Sequence, residues 1–544
     1  MKNLKRLLKK YDVELIIFFL ALAFSTWLMF STFSYQNGEM QIASKAWSDF
    51  ASHIPLIRSF SFGDNFPPEY PLFSGPPIRY HFLFYALVGL LEKGGLRIDF
   101  ALNILSILGF SLLILMIYLF SKEIFKSKAV GILSIIFFLF NGSLGFIKFF
   151  SAFPLSKNSL FEIISNNKFI SFGPYDGSII SAFWNLNIYT NQRHLALSYG
   201  LSLLLIYLFL KYKEDEKKEN IKKSVFIGIV LGFSFILNMS VFLMTVVILF
   251  SMFLFFGKKR IYIFTALIIG GLITLPQYLY IQSGGNSSFQ IFLYFGYLVS
   301  RGSNFFEFIN YWFQNLGLHF FLIPLGFFIA SKNNKKILIS FFSLFLIGNL
   351  FQFSPEIAAN HKFFNYFIII GSMFSAYALY FLWKKIVFRP LVLILFFLLI
   401  FSGIIDFFPI KNDTKIALSD YPVNKDIVWI MQNTKPNSVF LNTQYLYDNA
   451  SLAGRKIFLG WPYFAWSQGY DTNSRDELRK TMLNTKDLNY FCKNVRQNNL
   501  SYAELSPTED ITVNKDFFEK KFISVYKNSQ TDVSIYSLSV GCKK

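Results

Sequence analysis

Apolar runs long enough to cross a bilayer recur along most of this sequence, and no other feature limits the fold so severely. From Val13 to Phe408 such runs, each about 16–22 residues, alternate with short Lys-rich loops. Each suffices to cross roughly 30 Å of hydrocarbon as a helix. In lipid no water is available to backbone amides and carbonyls, so a crossing run must bond to itself as a helix. Composition agrees: of 544 residues, 53% are hydrophobic and only 15% charged, against about a quarter charged in soluble chains.

The lysines then set the topology. A net charge of +20 in a soluble protein would suggest nucleic acid, but here the basic residues sit in short loops between runs. There, retention of Lys and Arg fixes orientation, so no nucleic-acid partner is expected. The runs are Val13–Phe33, Phe100–Phe120, Ala129–Ile147, His194–Leu210, Ile261–Ile281, Leu316–Ala330, Ile337–Phe351, Phe363–Trp383 and Leu391–Phe408. One further run, Val225–Gly257, is too long for one span and basic at both ends, so it should be a hairpin turning at Asn238-Met239-Ser240. The fold class expected is a polytopic α-helical membrane protein with about eleven transmembrane helices. Lys2, Lys5, Arg6, Lys9 and Lys10 precede the first run as in a signal peptide. That run is too long for one and lacks an A-x-A site, so it reads as a retained helix with a cytoplasmic N-terminus.

Residues 1–410 are thus expected to form a transmembrane domain with long outer loops at 34–97 and 148–193. The first loop holds an apolar piece, His81–Leu91, suited to an interfacial helix, and the aromatic segment Phe289–Val299 is of the same kind. From 411 to 544 acidic and basic residues approach balance. Helical patterns (Asn424–Gln432, Ser474–Leu483, Lys486–Gln497) alternate with strand-like runs (Ser438–Leu441, Lys456–Trp461, Lys521–Val525, Val533–Leu538). The expectation is a C-terminal soluble α/β domain on the extracytoplasmic side. Cys492 and Cys542 both fall in it, and that compartment permits a disulfide, with two free thiols as the alternative.

No P-loop, HExxH, CxxC or strand-turn-helix GxGxxG occurs, which removes support for an ATP-driven pump or a zinc protease. The spans carry almost no charge, unlike those of proton-coupled transporters. The polar chemistry gathers instead at outer loops and outer helix ends: all five histidines (His53, His81, His194, His319, His361), with Asp49, Arg58, Arg79, Asp176, Arg193, Glu356 and Lys362. His319 reads as a satisfied helix histidine.

The first outer loop carries Trp47-Ser48-Asp49, then His53, Gly75-Pro76-Pro77 and Arg79-Tyr80-His81, followed by a span. This resembles the GT-C superfamily of polytopic glycosyltransferases that use polyprenyl-phosphate sugars, among them protein O-mannosyltransferases, aminoarabinose transferases and oligosaccharyltransferases. The topology match covers roughly the whole chain; the residue motif is short. The resemblance implies an acidic catalytic residue in the first outer loop, matched by Asp49, and a multi-pass enzyme of the cytoplasmic (inner) membrane working at its outer face. Asp176 matches the second-loop acid of some branches only loosely, with no acidic pair beside it, so a divalent cation (Mg or Mn) stays open and no cofactor is assigned.

The chemistry so implied is inverting transfer of a hexosyl or pentosyl unit from a lipid-phosphate donor to a glycan, lipid or protein acceptor. A poor hydroxyl nucleophile benefits from a carboxylate base, Asp49, and the departing phosphate needs cations already in place. Arg58, Arg79, His81, Arg193, His194, His361 and Lys362 are the candidates, with His53, Asp176 and Glu356 supporting. Each cation alone also fits a residue snorkelling to headgroups. Trp461, Tyr463, Phe464, Trp466 and Tyr470 suit either stacking on sugars or an interfacial belt of aromatics. Rival readings are a non-catalytic lipid or glycan transporter, which would need a polar path through the bundle, and a glycan polymerase or ligase using a diphosphate-linked donor.

Overall fold

The computed structural model describes residues 12–171, 177–212, 216–284, 290–300, 302–508 and 511–542. The chain folds into two compact units. One gathers the part up to Thr32 with Ile104–Leu275 and Ile291–Thr414; the other gathers Phe33–Asn103, Pro276–Gln290 and Lys415–Lys544.

The first unit is helical. Among the described residues seven helices of the chain are long and apolar enough to cross a membrane: Asp12–Thr32, Ile98–Phe125, Arg193–Leu210, Lys217–Leu237, Gly257–Gln282, Ile357–Trp383 and Ile386–Lys411. An eighth is present if Phe305–Leu316 and His319–Ile329, bent by 88°, count as one. The protein is therefore polytopic and helical. Three of the eleven spans expected from sequence take other forms. Ala129–Ile147 divides into Lys128–Leu139 and the start of Gly145–Ala152; the second half of the expected hairpin is the short Met239–Phe255; and Ile337–Phe351 lies in Lys332–Leu350, which has Lys332, Lys335 and Lys336 in its first turns.

Each break has a local cause. The long run divides at Asn238, as its polar composition implied, because the Asn238 side chain leaves the first helix to accept from Val241 N at 3.0 Å and cap the second. After Leu139 the backbone lies directly on the last span. A Cβ on Gly142 would meet Leu399 O at 1.8 Å, and one on Gly403 would meet Phe140 C at 2.4 Å, so both glycines are required for the approach. The interior is dominated by aromatic and aliphatic side chains such as Phe110, Tyr199, Met244, Trp312, Phe341 and Phe364.

The second unit is built on two sheets. Strands Phe33–Gln36, Glu39–Ala43 and Lys415–Ser419 form an antiparallel sheet in that order, with Glu39 opposite Ser419. The other sheet has five strands in the order Lys456–Ile457, Val439–Asn442, Tyr502–Leu505, Val533–Ser537 and Ile523–Asn528. The first three run parallel, and Val533–Ser537 is antiparallel to both of its neighbours. Helices Thr472–Asn484, Leu488–Gln497 and Lys515–Lys521 contribute Met482, Leu483, Phe491, Phe517 and Phe518 to its core beside Leu441 and Phe458. Cys492 and Cys542 are joined as a disulfide. Strands Lys415–Ser419 and Tyr502–Leu505 were not anticipated. The helix Leu83–Lys93 occupies the place expected for the first-loop interfacial helix.

Candidate functional site

The first outer loop opens with a helix, Trp47–Ser61, and Asp49 stands in its first turn. A carboxylate there is favoured by the unpaired amides of the helix N-terminus. Asp49 is half-buried. Its charge acts on three phenols drawn from distant parts of the second unit, those of Tyr80, Tyr85 and Tyr447. Burial, and then the nearby Asp49 carboxylate, push the ionisation of Tyr80 and Tyr447 upward. For Tyr85 burial and Tyr80 come first and Asp49 next. All three phenols therefore stay protonated; the Tyr447 proton is given to the Trp47 carbonyl, so only the Tyr80–Tyr85 pair has an O–H left to face the carboxylate. Tyr80 and Tyr85 are also hydrogen-bonded to each other.

His53, one turn after Asp49, shares its helix face and is buried at 4% exposure. Its ring stacks on Tyr85 with centroids 4.7 Å apart. His81 is equally buried, its ring 3.8 Å from that of Tyr80. Asp49, His53, Tyr80, His81, Tyr85 and Tyr447 thus form one aromatic and imidazole cluster around a carboxylate. Of these the sequence reading assigned roles to Asp49, His53 and His81. Tyr80 carried a signal, its place between Arg79 and His81; Tyr447 carried none.

Two of the expected phosphate-binding arginines are engaged in holding the fold. Arg58 is 2% exposed, with Glu92 Oε1 at 3.0 Å from Nε, Asp420 Oδ2 at 2.7 Å from Nη2, and the Phe62 ring 4.3 Å from Cζ. Burial opposes its charge, but Glu92 and Asp420 overcome this and raise its pKa; burial raises that of Glu92, against the pull of Arg58. Arg58, which the sequence reading offered to the phosphate, is thus held between two carboxylates. Arg79 donates to Gly469 O (2.6 Å) and Gly284 O (3.2 Å) and lies over the Tyr470 ring at 4.8 Å. It bridges backbone carbonyls, a role the sequence reading did not foresee.

The remaining candidates belong to the first unit. Arg193 is fully buried and donates to Thr190 O (2.6 Å), Met29 Sδ (2.6 Å) and Thr32 Oγ1 (2.6 Å); His194, also buried, follows it at the head of the span. His361 is buried, with Nδ1 at 2.7 Å from Asn365 Oδ1 and its ring stacked on Phe183. Lys362 accepts a hydrogen bond from Tyr199 Oη at its carbonyl (2.7 Å). The Glu356 carbonyl receives the Ser354 hydroxyl. Asp176 lies outside the described residues. His319 is bonded to Ser375 Oγ at 2.9 Å, as a satisfied helix histidine would be.

A buried polar group missed by the charge survey is Asp406, at 4% exposure on the last span, which interacts with Asn185 and Ser181. In the same unit Asn141, Asn185, Tyr189, Asn365 and Ser372 line a void of about 20 Å³. That is room for roughly one water. Among the described residues no group of three or more His, Cys, Asp or Glu side chains is arranged to hold a metal ion.

No family model matches the sequence, and no curated protein matches it. Solved structures do. The oligosaccharyltransferase of Archaeoglobus fulgidus in its apo form aligns with a TM-score of 0.50 at 13% identity, over 92% of this chain and 70% of that one. The archaeal oligosaccharyltransferase AglB from the same organism, in complex with an inhibitory peptide and a dolichol-phosphate, aligns at 0.48 and 13% over the same shares. ArnT from Cupriavidus metallidurans, in the apo state, aligns at 0.44 and 11% over the whole of both chains. The apo oligosaccharyltransferase carries the fold comparison. This chain shares its fold with that oligosaccharyltransferase.

Proposed function

We propose that this protein is an inverting membrane glycosyltransferase that takes a sugar from a polyprenyl-phosphate donor at the outer face of the cytoplasmic membrane and delivers it to a glycan, lipid or protein hydroxyl. The observation that carries this reading is Asp49. It stands in the first turn of the first-loop helix of a GT-C-like fold, half-buried among phenols that remain protonated. The acceptor oxygen attacks the anomeric carbon from the face opposite the phosphate. The C–O bond to phosphate breaks, polyprenyl phosphate leaves with the electron pair, and Asp49 receives the acceptor proton. Inversion follows from a single displacement.

The groups offered to the phosphate are Arg58, Arg79, His81, Arg193, His194, His361 and Lys362, with Arg58, Arg79, Arg193 and His361 held in place by the partners described above. His53 holds the Tyr85 ring in place, and Asp176 and Glu356 remain supporting acids of the outer side. The full complement of eleven spans, with a cytoplasmic N-terminus and the region after Lys411 outside, belongs to the same reading. The Cys492–Cys542 disulfide supports that orientation, because such bonds persist in oxidising compartments.

The test is sugar release from a labelled polyprenyl-phosphate hexose by the full chain in proteoliposomes, comparing wild type with Asp49→Asn. Loss of about 10²–10⁴ in turnover with donor binding retained is expected of a missing general base. Equal turnover in both would remove Asp49 from the chemistry. Absence of turnover in wild type with every donor tried would sink the transferase reading.

A further inference from the structure

Independently of any catalysis, the second unit carries an exposed aromatic surface that the polar chemistry does not use. Trp461, Tyr463 and Trp466, on and beside the short helix Pro462–Trp466, are 42%, 42% and 41% exposed, and Phe66 is 86% exposed. Exposed apolar patches mark surfaces that meet a protein, a membrane or a ligand.

Where they lie says which of the three they meet. The span Gly257–Gln282 ends in the second unit, and its last turns leave Tyr278 and Leu279 exposed at 48% and 58%. Tyr280, on the same turns, donates to Pro68 O at 2.9 Å, two residues from Phe66. Just past the helix end, the Gly284 carbonyl is 3.2 Å from Arg79 Nη2, while Nη1 of the same guanidinium is 2.6 Å from Gly469 O, three residues after Trp466. Tyr470 completes the knot by donating to Pro77 O (3.0 Å) and accepting from Arg79 N (2.8 Å). A Cβ on Gly284 would meet Pro77 Cδ at 2.7 Å, so the two backbones are in direct contact. One side chain therefore links the end of the helix Gly257–Gln282 to the turn that displays the aromatics.

We propose that Phe66, Tyr278, Trp461, Tyr463 and Trp466 form an interfacial belt by which the second unit rests in the headgroup layer of the bilayer. Trp and Tyr combine an apolar ring with a polar tip and collect at that depth. Leu279 has neither a ring to stack on a sugar nor a polar tip to hydrogen-bond one, which favours lipid over glycan. The belt fixes the height of the first-loop segment Phe66–Arg79 against the membrane surface.

The test labels single cysteines with a nitroxide in the full chain, reconstituted in phosphatidylethanolamine–phosphatidylglycerol vesicles. The native cysteines are paired with each other, so Phe66→Cys, Tyr463→Cys and, as an exposed control, Asn473→Cys each offer one thiol. The ratio of oxygen to Ni-EDDA collisions should be several-fold higher at 66 and 463 than at 473. Wild-type tryptophan fluorescence should also be quenched by brominated lipid, and less so in the Trp461→Phe/Trp466→Phe variant. Ratios at 66 and 463 equal to that at 473 would overturn the proposal. So would Ni-EDDA access that is lost only on adding an oligosaccharide, which would make the surface a glycan site.

Discussion

The phenolic hydroxyl of Tyr447 donates a 2.6 Å hydrogen bond to the backbone carbonyl of Trp47, a residue 400 positions earlier, and the two rings lie 4.4 Å apart. Tyr447 does this from a left-handed backbone, φ 52°, a conformation that costs a non-glycine residue about 1–2 kcal/mol. The neighbouring Asp448 caps the following helix by accepting from Ala450 N and Ser451 N, which holds the turn in that geometry. The bond fixes the start of the helix whose first turn carries Asp49.

Removing only that hydroxyl, by Tyr447→Phe, keeps the ring contact and frees the Trp47 carbonyl. Stability should fall by about 1 kcal/mol, the usual net worth of such a bond. Sugar release should fall several-fold, with donor KM little changed. Thermal unfolding in detergent and turnover in proteoliposomes check the two effects. Wild-type turnover in the variant would show that the Trp47 anchor is not felt at Asp49.

Arg58 should behave as a structural residue. Arg58→Met leaves Glu92 and Asp420 buried without their cation, and breaking such a pair costs about 3–5 kcal/mol. Glu92→Gln should be milder: burial already raises the pKa of Glu92 against the pull of Arg58, and the amide can still accept from Ser61 Oγ, which now donates to Glu92 Oε2 at 2.6 Å. Denaturation midpoints of both variants decide the matter. A variant Arg58→Lys of unchanged midpoint but raised donor KM would place Arg58 at the phosphate.

Asp448 and Glu504 form a second buried acidic pair, at 1% and 0% exposure, and both accept from Ala450 N. Burial raises both above the ordinary carboxylate range, and their mutual repulsion raises Glu504 further. The folded state therefore holds protons that the unfolded chain has released, so stability must decline as pH rises above about 4 toward neutrality. Asp448→Asn keeps a good cap and removes one buried charge. Its melting temperature should exceed that of wild type at pH 8, with the gap narrowing at pH 5. A gap that widens on acidification would contradict the assignment.

The disulfide closes a separation of 50 residues between the helix Leu488–Gln497 and the chain end. Cys492→Ser/Cys542→Ser should lower stability by about 2–4 kcal/mol, read as a fall in the melting temperature of the second unit. Non-reduced wild type should resist thiol alkylation. Ready alkylation without reductant would show that the bond does not form.

Membrane class was decided by the sequence alone, because a 20-residue apolar run has one economical fate in hydrocarbon. Local breaks were readable where a polar residue caused them, as at Asn238. The break after Leu139 was not, because its cause is a glycine contact with residues some 260 positions away. Three helices (Lys425–Asn433, Thr472–Asn484 and Leu488–Gln497) and most strands of the C-terminal region followed from periodicity, which is local; the helix Lys515–Lys521 did not. Strand Lys415–Ser419 did not, since its pairing partner is Glu39–Ala43. At the candidate site the first-loop residues Asp49, His53 and His81 could be named from their chain neighbours. Only the tertiary structure brought Tyr447 to Trp47, gave Arg58 to Glu92 and Asp420, and turned Arg79 to the carbonyls of Gly284 and Gly469. A residue's type fixes which bonds it can make; which partner arrives depends on contacts between segments far apart in the chain, and these carry no signature in the local sequence.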